Sequence, residues 1–384
     1  MKIVYCLPQI YRPGGIERII SIKANYLAEK YGYEVTIITA CQKQQQPYYQ
    51  FSPKIKLIDL NVDYDSLLQL PLLTRILRKF SLQRKHKKYL ANLLYKIKPD
   101  ITISTFTHEA SFLPDIKDGS KKILEFHFCR KHKQLMAEAF HFSFLTKTAY
   151  YLKCWQEENI IIPKYDQFVV LTEEDRQAWL PKVSNVKCIP NIHPFETNEQ
   201  AKLENKRAIA VGRLDAQKGF DKLIKVWNIV YKNNPDWVLD IYGQGEDEKQ
   251  LREQIMNAKL ENVISINPPT SDIKDKYLNS SLFIMTSRYE GLPMTLLEAT
   301  SLGLPAICFN FTCGPQEVII NNQNGYIIEN NQYAKMALKI GLLINNFQLR
   351  KELGNNAKKL SNKFSSDTIM KRWNELFHQI TTVP

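Results

Sequence analysis

No stretch of this chain approaches the ~18 uninterrupted apolar residues that a membrane-spanning helix needs, and mean hydropathy is −0.33. The apolar start, Lys2 to Leu7, is broken by Pro8. It is too short for a signal peptide, so the expectation is a protein that stays in the cytoplasm. Cysteine is sparse and poorly arranged for structural work: seven residues, at 6, 41, 129, 154, 188, 308 and 313, with no CxxC pair. A disulfide framework and a structural zinc site are both disfavoured, and reduced thiols are the default. Repeats and low-complexity tracts are absent. What is there, 384 residues of which 44% are hydrophobic and 24% charged, suffices for two globular domains with separate cores.

Charge is unevenly spread. Residues 1–190 hold 29 Lys+Arg against 18 Asp+Glu, a surplus of 11, whereas residues 191–384 hold 23 against 21, a surplus of 2. A negatively charged partner is therefore expected at the first half: an anionic membrane surface, a phosphorylated acceptor or a nucleic acid. The surplus concentrates in residues 66–99, which carry nine Lys/Arg and no acid. Within them Leu73, Ile76, Leu77, Phe80, Leu90, Leu93, Leu94 and Ile97 recur at helical spacing. Helix 72–98 either packs an apolar face inward with a solvated basic face, or meets anionic lipid at ~1 kcal/mol per basic residue near the surface. No nucleic-acid motif or aromatic stacking platform accompanies the charge, so nucleic acid is not the expected partner.

Both halves alternate strand-like and helix-like segments, which predicts parallel α/β sheets. The first half offers strands at Lys2–Leu7, Glu34–Ala40, Asp100–Phe106, Lys122–Phe128 and Gln167–Leu171, with helices at Ile16–Lys30 and after Thr172, a plausible N-cap. The second offers Arg207–Val211, Val238–Tyr242, Val263–Ile266, Leu282–Thr286 and Pro305–Phe309, with helices after Gly219 and from Glu246. The expected division is a first domain over 1–190, joined by a C-terminal helix 367–384, a linker over 191–206, and a second domain over 207–366. Two doubly wound domains facing across a cleft would bind ligands at the carboxyl edges of their strands.

Three motifs stand at such edges. Gly14-Gly15-Ile16-Glu17 follows the first strand and opens a helix; its amides could approach an anion, or it is an ordinary strand-to-helix turn. It is not GxGxxG, so a dinucleotide fingerprint is absent. Gly212-Arg213, then Lys218-Gly219, places two cations five residues apart around a turn. They suit a diphosphate that no metal neutralises, or are two solvated bases. In Arg288-Tyr289-Glu290-Gly291-Leu292-Pro293-Met294-Thr295-Leu296-Leu297-Glu298, Glu290 sits in a turn after an apolar strand and Pro293 suits a first helical position. Glu298 lies in the helix whose positive end faces that turn. Two carboxylates so placed can accept hydrogen bonds from vicinal hydroxyls.

Together these residues resemble the retaining GT-B glycosyltransferases of family 4, bacterial sugar transferases of surface polysaccharide and lipopolysaccharide. The likeness also takes in Ile189-Pro190-Asn191, Tyr242-Gly243-Gln244-Gly245, Gly314-Pro315-Gln316-Glu317 and Asn324-Gly325, and so covers nearly the whole chain. The resemblance implies that Arg213 and Lys218 grip the donor diphosphate in place of a metal, with Gly212 in the same turn. It implies that Glu298 takes the ribose hydroxyls, that Glu290 faces the donor sugar, and that amides near Gly291, Leu292, Pro293 and Met294 complete the phosphate site. Gly14 and Gly15 would approach the donor from the other domain. His127 matches a histidine beside the transferred sugar, or is a packed histidine. Asn191 and Glu317 match further family positions.

The activity implied is transfer of a hexose or N-acetylhexosamine from a nucleotide sugar, UDP-linked, to a lipid-linked or surface-glycan acceptor. No metal and no cofactor are expected, and the place of action is the cytoplasm, peripheral on the inner face of the plasma membrane. The alternatives are a nucleotide-sugar 2-epimerase or hydrolase of the same fold, and a non-catalytic membrane or polyanion adaptor. Asp63-Tyr64-Asp65 is a literal DxD, the metal signature of the other large glycosyltransferase fold; without that fold's nucleotide-binding sheet around it, no metal site is assigned.

Overall fold

The structure, a computed structural model, describes residues 1–139 and 144–382. Its strands form two wholly parallel sheets. The first contains β1 (Lys2–Leu7), β2 (Glu34–Thr39), β3 (Lys56–Asp59), β4 (Ile101–Ser104), β5 (Lys121–Glu125), β6 (Gln167–Val170) and β7 (Val186–Cys188). Their order is β3-β2-β1-β4-β5-β6-β7. The second contains β8 (Arg207–Val211), β9 (Val238–Tyr242), β10 (Ile264–Asn267), β11 (Leu282–Met285), β12 (Ala306–Phe309) and β13 (Gly325–Ile328), ordered β10-β9-β8-β11-β12-β13. Each is a doubly wound α/β sheet, and each reverses its strand order once, between β1 and β4 and between β8 and β11. Loops leaving the carboxyl ends of those four strands splay apart there and leave room for a ligand.

The chain divides into two compact units: residues 1–127, 152–190 and 366–384, and residues 128–151 with 191–365. The segment 128–151, which the sequence places with 1–190, groups with the second unit. Residues 191–206 have no regular structure but are fixed to it: His193 N donates to Phe364 O at 3.0 Å, and Arg350 Nε to Leu203 O at 3.0 Å. In each unit the inner strands are buried on both faces, as parallel strands covered by helices must be, while the edge strand β3 is largely exposed. The central strand of the first reads Ile3, Val4, Tyr5, Cys6, Leu7, and that of the second Ala208, Ile209, Ala210, all at most 3% exposed.

Helix Ser366–Thr382 returns to the first unit and buries Ile369, Met370, Trp373, Leu376 and Phe377. The last two residues of the expected helix, 383 and 384, lie outside the described residues. Thr172 caps helix Glu173–Trp179, its hydroxyl accepting from Asp175 N at 3.1 Å. The basic segment forms one helix, Leu72–Ile97, that buries Leu90 and Leu94 while Ile76, Leu77 and Phe80 stay exposed. Among the described residues, no helix is long and apolar enough to cross a membrane.

Candidate active site

The second unit gathers most of the expected residues at its switch point. β8 ends at Val211, and the turn Gly212–Gly219 leads into helix Phe220–Tyr231; β11 ends at Met285, and the turn Thr286–Pro293 leads into helix Met294–Ser301. Because β8 and β11 are neighbours, the two turns lie side by side. Lys218 Nζ meets Glu290 Oε1 at 2.7 Å, with the two side chains 14% and 9% exposed. Ser287 Oγ donates to the same oxygen at 2.9 Å, and Gln217 Nε2 approaches Glu290 Oε2 at 3.3 Å and Tyr289 O at 3.1 Å. Glu290 is thus a carboxylate held in one orientation. Arg213 is placed differently: its side chain is 70% exposed, 3.1 Å from Asp215 Oδ2 and 3.0 Å from Gln217 Oε1. It sits at the rim.

Glu298 is buried inside the second turn of its helix, and Tyr277 Oη donates to its Oε2 at 2.9 Å. Pro293 is extended at φ −71°, ψ 115° and is the N-cap, so the helix begins one residue later than the sequence suggested. Leu292 and Pro293 are buried, while Gly291 and Met294 remain half-buried beside the turn. Gly314, at φ +108°, packs on this turn so closely that a Cβ would stand 2.7 Å from Pro293 Cδ and 2.9 Å from Gly291 O.

The turns are held by groups that the motif spacing did not reveal. Arg288 makes paired 2.9 Å bonds to both carboxylate oxygens of Asp221 and donates to Ala216 O at 2.7 Å, tying one turn to the other. Burial alone raises the Asp221 carboxyl, but Arg288 outweighs it and holds the group below its ordinary value. Gly243 and Gly245 prop the first turn from beneath: a Cβ at 243 would lie 1.8 Å from Gly212 O and one at 245 would lie 2.2 Å from Leu214 O. Gly212 N and Leu214 N donate to Tyr242 O and Gln244 O. In the first turn of helix Met294–Ser301, Thr295 Oγ1 is buried with no hydrogen-bond partner among the described residues. Bidentate geometry and a lone hydroxyl leave no spacing signature, so only the structure shows them; Gly243 and Gly245 stand in the Tyr242-Gly243-Gln244-Gly245 motif, and the structure adds what they prop.

The first unit carries the remaining three. Gly14 is extended (φ −159°) and is the N-cap of helix Gly15–Glu29. Its smallness makes room for Glu17, whose Oε2 would lie 2.1 Å from a Cβ there. Gln9 Nε2 donates to Glu17 Oε1 at 2.7 Å. The helix start therefore already faces a carboxylate of its own chain. His127 follows β5, is buried, and has Nε2 3.3 Å from Glu125 Oε1. Glu125 is paired at 2.7 Å with Lys23, both 1% exposed, and Lys23 Nζ lies 3.6 Å above the Trp373 ring. Burial would raise the Glu125 carboxyl, yet Lys23 and His127 together hold it at about 2. His127 thus lies buried against this ion pair. In the Asp63-Tyr64-Asp65 triplet, Asp65 accepts from Arg12 at 2.9 Å and from Lys43 at 2.7 Å.

Comparison with known proteins agrees with this layout. The family described as "Glycosyl transferases group 1" matches residues 194–360. The chain is 30% identical over 382 residues to an uncharacterized glycosyltransferase of Haemophilus influenzae, covering 97% of this chain and 98% of that one. It is 35% identical over 223 residues to the amylovoran biosynthesis glycosyltransferase AmsD of Erwinia amylovora, covering 56% and 62%. Among solved structures, a TarM variant from S. aureus in complex with fondaparinux, α-GlcNAc-glycerol and UDP superposes with a TM-score of 0.75 at 17% identity, covering 98% of this chain and 100% of that one. At that identity the likeness speaks for the fold. The paired parallel sheets and the full-length relative lead to one conclusion: this chain belongs to the glycosyltransferases, enzymes that transfer sugars, and has the GT-B fold.

Proposed function

We propose that the chain is a metal-independent, retaining glycosyltransferase of family 4 that takes a UDP-linked hexose or N-acetylhexosamine and adds it to a lipid-linked or surface glycan. The observation that carries this reading is the Lys218–Glu290 pair fixed at the switch point of the second sheet, with Arg213 at its rim and Glu298 buried in the helix that follows. A departing diphosphate needs preorganised positive charge. Arg213, Lys218 and the backbone N–H groups of Gly291, Leu292 and Met294 supply it here. Entry of the phosphates draws Lys218 off Glu290 and leaves the Glu290 carboxylate for a donor-sugar hydroxyl. Glu298 takes the ribose hydroxyls. The UDP bound in the TarM structure and the amylovoran biosynthesis in the name of AmsD support this donor and product class.

The test is a panel of UDP-, GDP- and ADP-sugars in EDTA, read by nucleoside diphosphate release and by the anomeric configuration of the product. The expected result is turnover with UDP-sugars alone and a product of unchanged configuration. Turnover that needs a divalent metal, or an inverted product, contradicts the proposal. A 2-epimer or free sugar formed equally fast without any acceptor contradicts the transfer step.

A further inference from the structure

Beside His127 the first unit buries a complete ion pair. β5 ends at Glu125, and His127 stands two residues on, where the chain leaves the carboxyl edge of the sheet. Helix Gly15–Glu29 brings Lys23 to the same place, where its Nζ meets both carboxylate oxygens of Glu125 at 2.7 Å. The same Nζ lies 3.6 Å from the centre of the Trp373 ring and 5.5 Å from that of Tyr5. Glu125 is therefore fixed by a cation that two aromatic rings hold in turn.

Stability alone does not call for such a pair. Desolvation offsets most of what two buried charges gain by attraction, and apolar side chains of similar volume fill such a place equally well. What they cannot do is orient a polar ring. His127 Nε2 lies 3.3 Å from Glu125 Oε1, with the two side chains 4% and 1% exposed. This buried nitrogen has no hydrogen-bond partner among the described residues. A bare lone pair on it would face a carboxylate oxygen and be repelled, whereas a proton on it is attracted. The contact thus selects the tautomer that carries its proton on Nε2 and leaves Nδ1 as the acceptor. Glu17 is a second carboxylate within electrostatic reach of His127, but Gln9 Nε2 holds it at 2.7 Å. Glu125 is the carboxylate in contact.

We propose that Glu125 is a positioning residue for the transfer reaction: it fixes the tautomer and orientation of His127 so that Nδ1 accepts from a sugar hydroxyl, and Lys23 with Trp373 holds Glu125 in place. Trp373 belongs to helix Ser366–Thr382, with which the chain returns to the first unit, so the last helix of the chain bears on this ring. The proposal rests on the transferase reading above and on the place beside the transferred sugar that the resemblance implies for His127.

The test compares K23M/E125L with K23M/E125Q. Both remove the ion pair and strand no charge; they differ in whether position 125 offers an oxygen to the Nε2 proton. NMR of the full chain, with histidine isotopically labelled at nitrogen and H127Q identifying the signals, reads the ring tautomer without substrate. Wild type and K23M/E125Q should show His127 protonated at Nε2 alone, and K23M/E125L both tautomers. With the UDP-sugar that turns over, kcat should fall about tenfold in K23M/E125L at unchanged donor KM and be largely restored in K23M/E125Q. Adding H127Q to K23M/E125L should cost no more than H127Q alone. A proton on Nδ1 in the wild type, or losses from K23M/E125L and H127Q that multiply, overturns the proposal. So does an equal kcat in the two double variants: lowered, it makes the pair a matter of packing, and unlowered, it gives the pair no part in turnover. Stabilisation by UDP is recorded on the same samples. If it persists while the tautomer and kcat results fail, the positioning proposal falls alone. If the wild type shows neither UDP stabilisation nor turnover, the transferase reading falls, and the ring signals still decide whether Glu125 sets the tautomer.

Discussion

Lys23 and Glu125 form an ion pair in which each side chain is 1% exposed. Removing one partner of such a pair strands the other charge in the core, at a cost of about 3–5 kcal/mol, whereas replacing both with apolar groups is far milder. K23A should therefore lower the unfolding midpoint in denaturant sharply, and K23M/E125L should recover most of the loss. An equal loss in both would show that packing against Trp373, not charge, is what matters. At the donor site the two cations differ in burial, so their substitutions should differ as well. K218A removes a charge-assisted contact of ~1.5–3 kcal/mol and leaves the buried Glu290 without its cation. It should weaken UDP binding more than R213A, whose side chain is mostly in water. The order R213A worse than K218A would contradict the arrangement described.

Lys218, Glu290 and Glu298 were readable because each stands at a fixed offset from a strand end or a helix start. Gln217, Arg288 and Asp221 were not, because they act by contacts between positions 67 to 73 residues apart, and Ser287, three residues from Glu290, was not because a single turn serine carries no signature.

At the scale of elements, the long apolar strands were legible to the residue: β1, β8 and β9 have the predicted bounds. β3, β7 and β13 were not: β3 and β7 carry charged residues among their three or four positions and β13 opens on a glycine, so none shows the apolar run that marks the other short strands. Helices Tyr333–Asn345 and Phe347–Ser361 were likewise not singled out. The turn after β8 depends on Gly243 beneath it. G243A puts a methyl carbon 1.8 Å from Gly212 O, against backbone that cannot swing away. It should abolish UDP-induced stabilisation and lower the melting temperature; an unchanged UDP response would mean that the turn does not set the site.

Helix Leu72–Ile97 is anchored through His86, 3.2 Å from Tyr64 Oη, and burial pushes both His86 and His108 down to about 4. The folded state binds these protons less readily than the unfolded chain, whose histidines titrate near 6.5. Stability is therefore full above about 6.5 and falls as pH drops toward 4. H86Q/H108Q should flatten the melting temperature across that interval. An undiminished slope would assign it to carboxylates instead.

For the molecule as a whole, each unit has its own parallel sheet and its own switch point, the second carrying Lys218, Glu290 and Glu298 and the first carrying the Lys23–Glu125 pair beside His127. The two-unit α/β plan was legible from alternating elements. The grouping of residues 128–151 with the second unit was not, because it follows from packing rather than from composition.

The central claim is that the second unit binds a nucleoside diphosphate without metal. Its most direct test is the melting temperature of the intact chain with UDP, GDP or ADP in EDTA, for the wild type and K218A. A ligand at one hundred times its dissociation constant adds about 2.7 kcal/mol to the folded state, a shift large enough to read. The expected result is a rise with UDP alone that K218A largely removes. No rise with any nucleotide in folded wild-type protein, or a rise that EDTA abolishes, would contradict it.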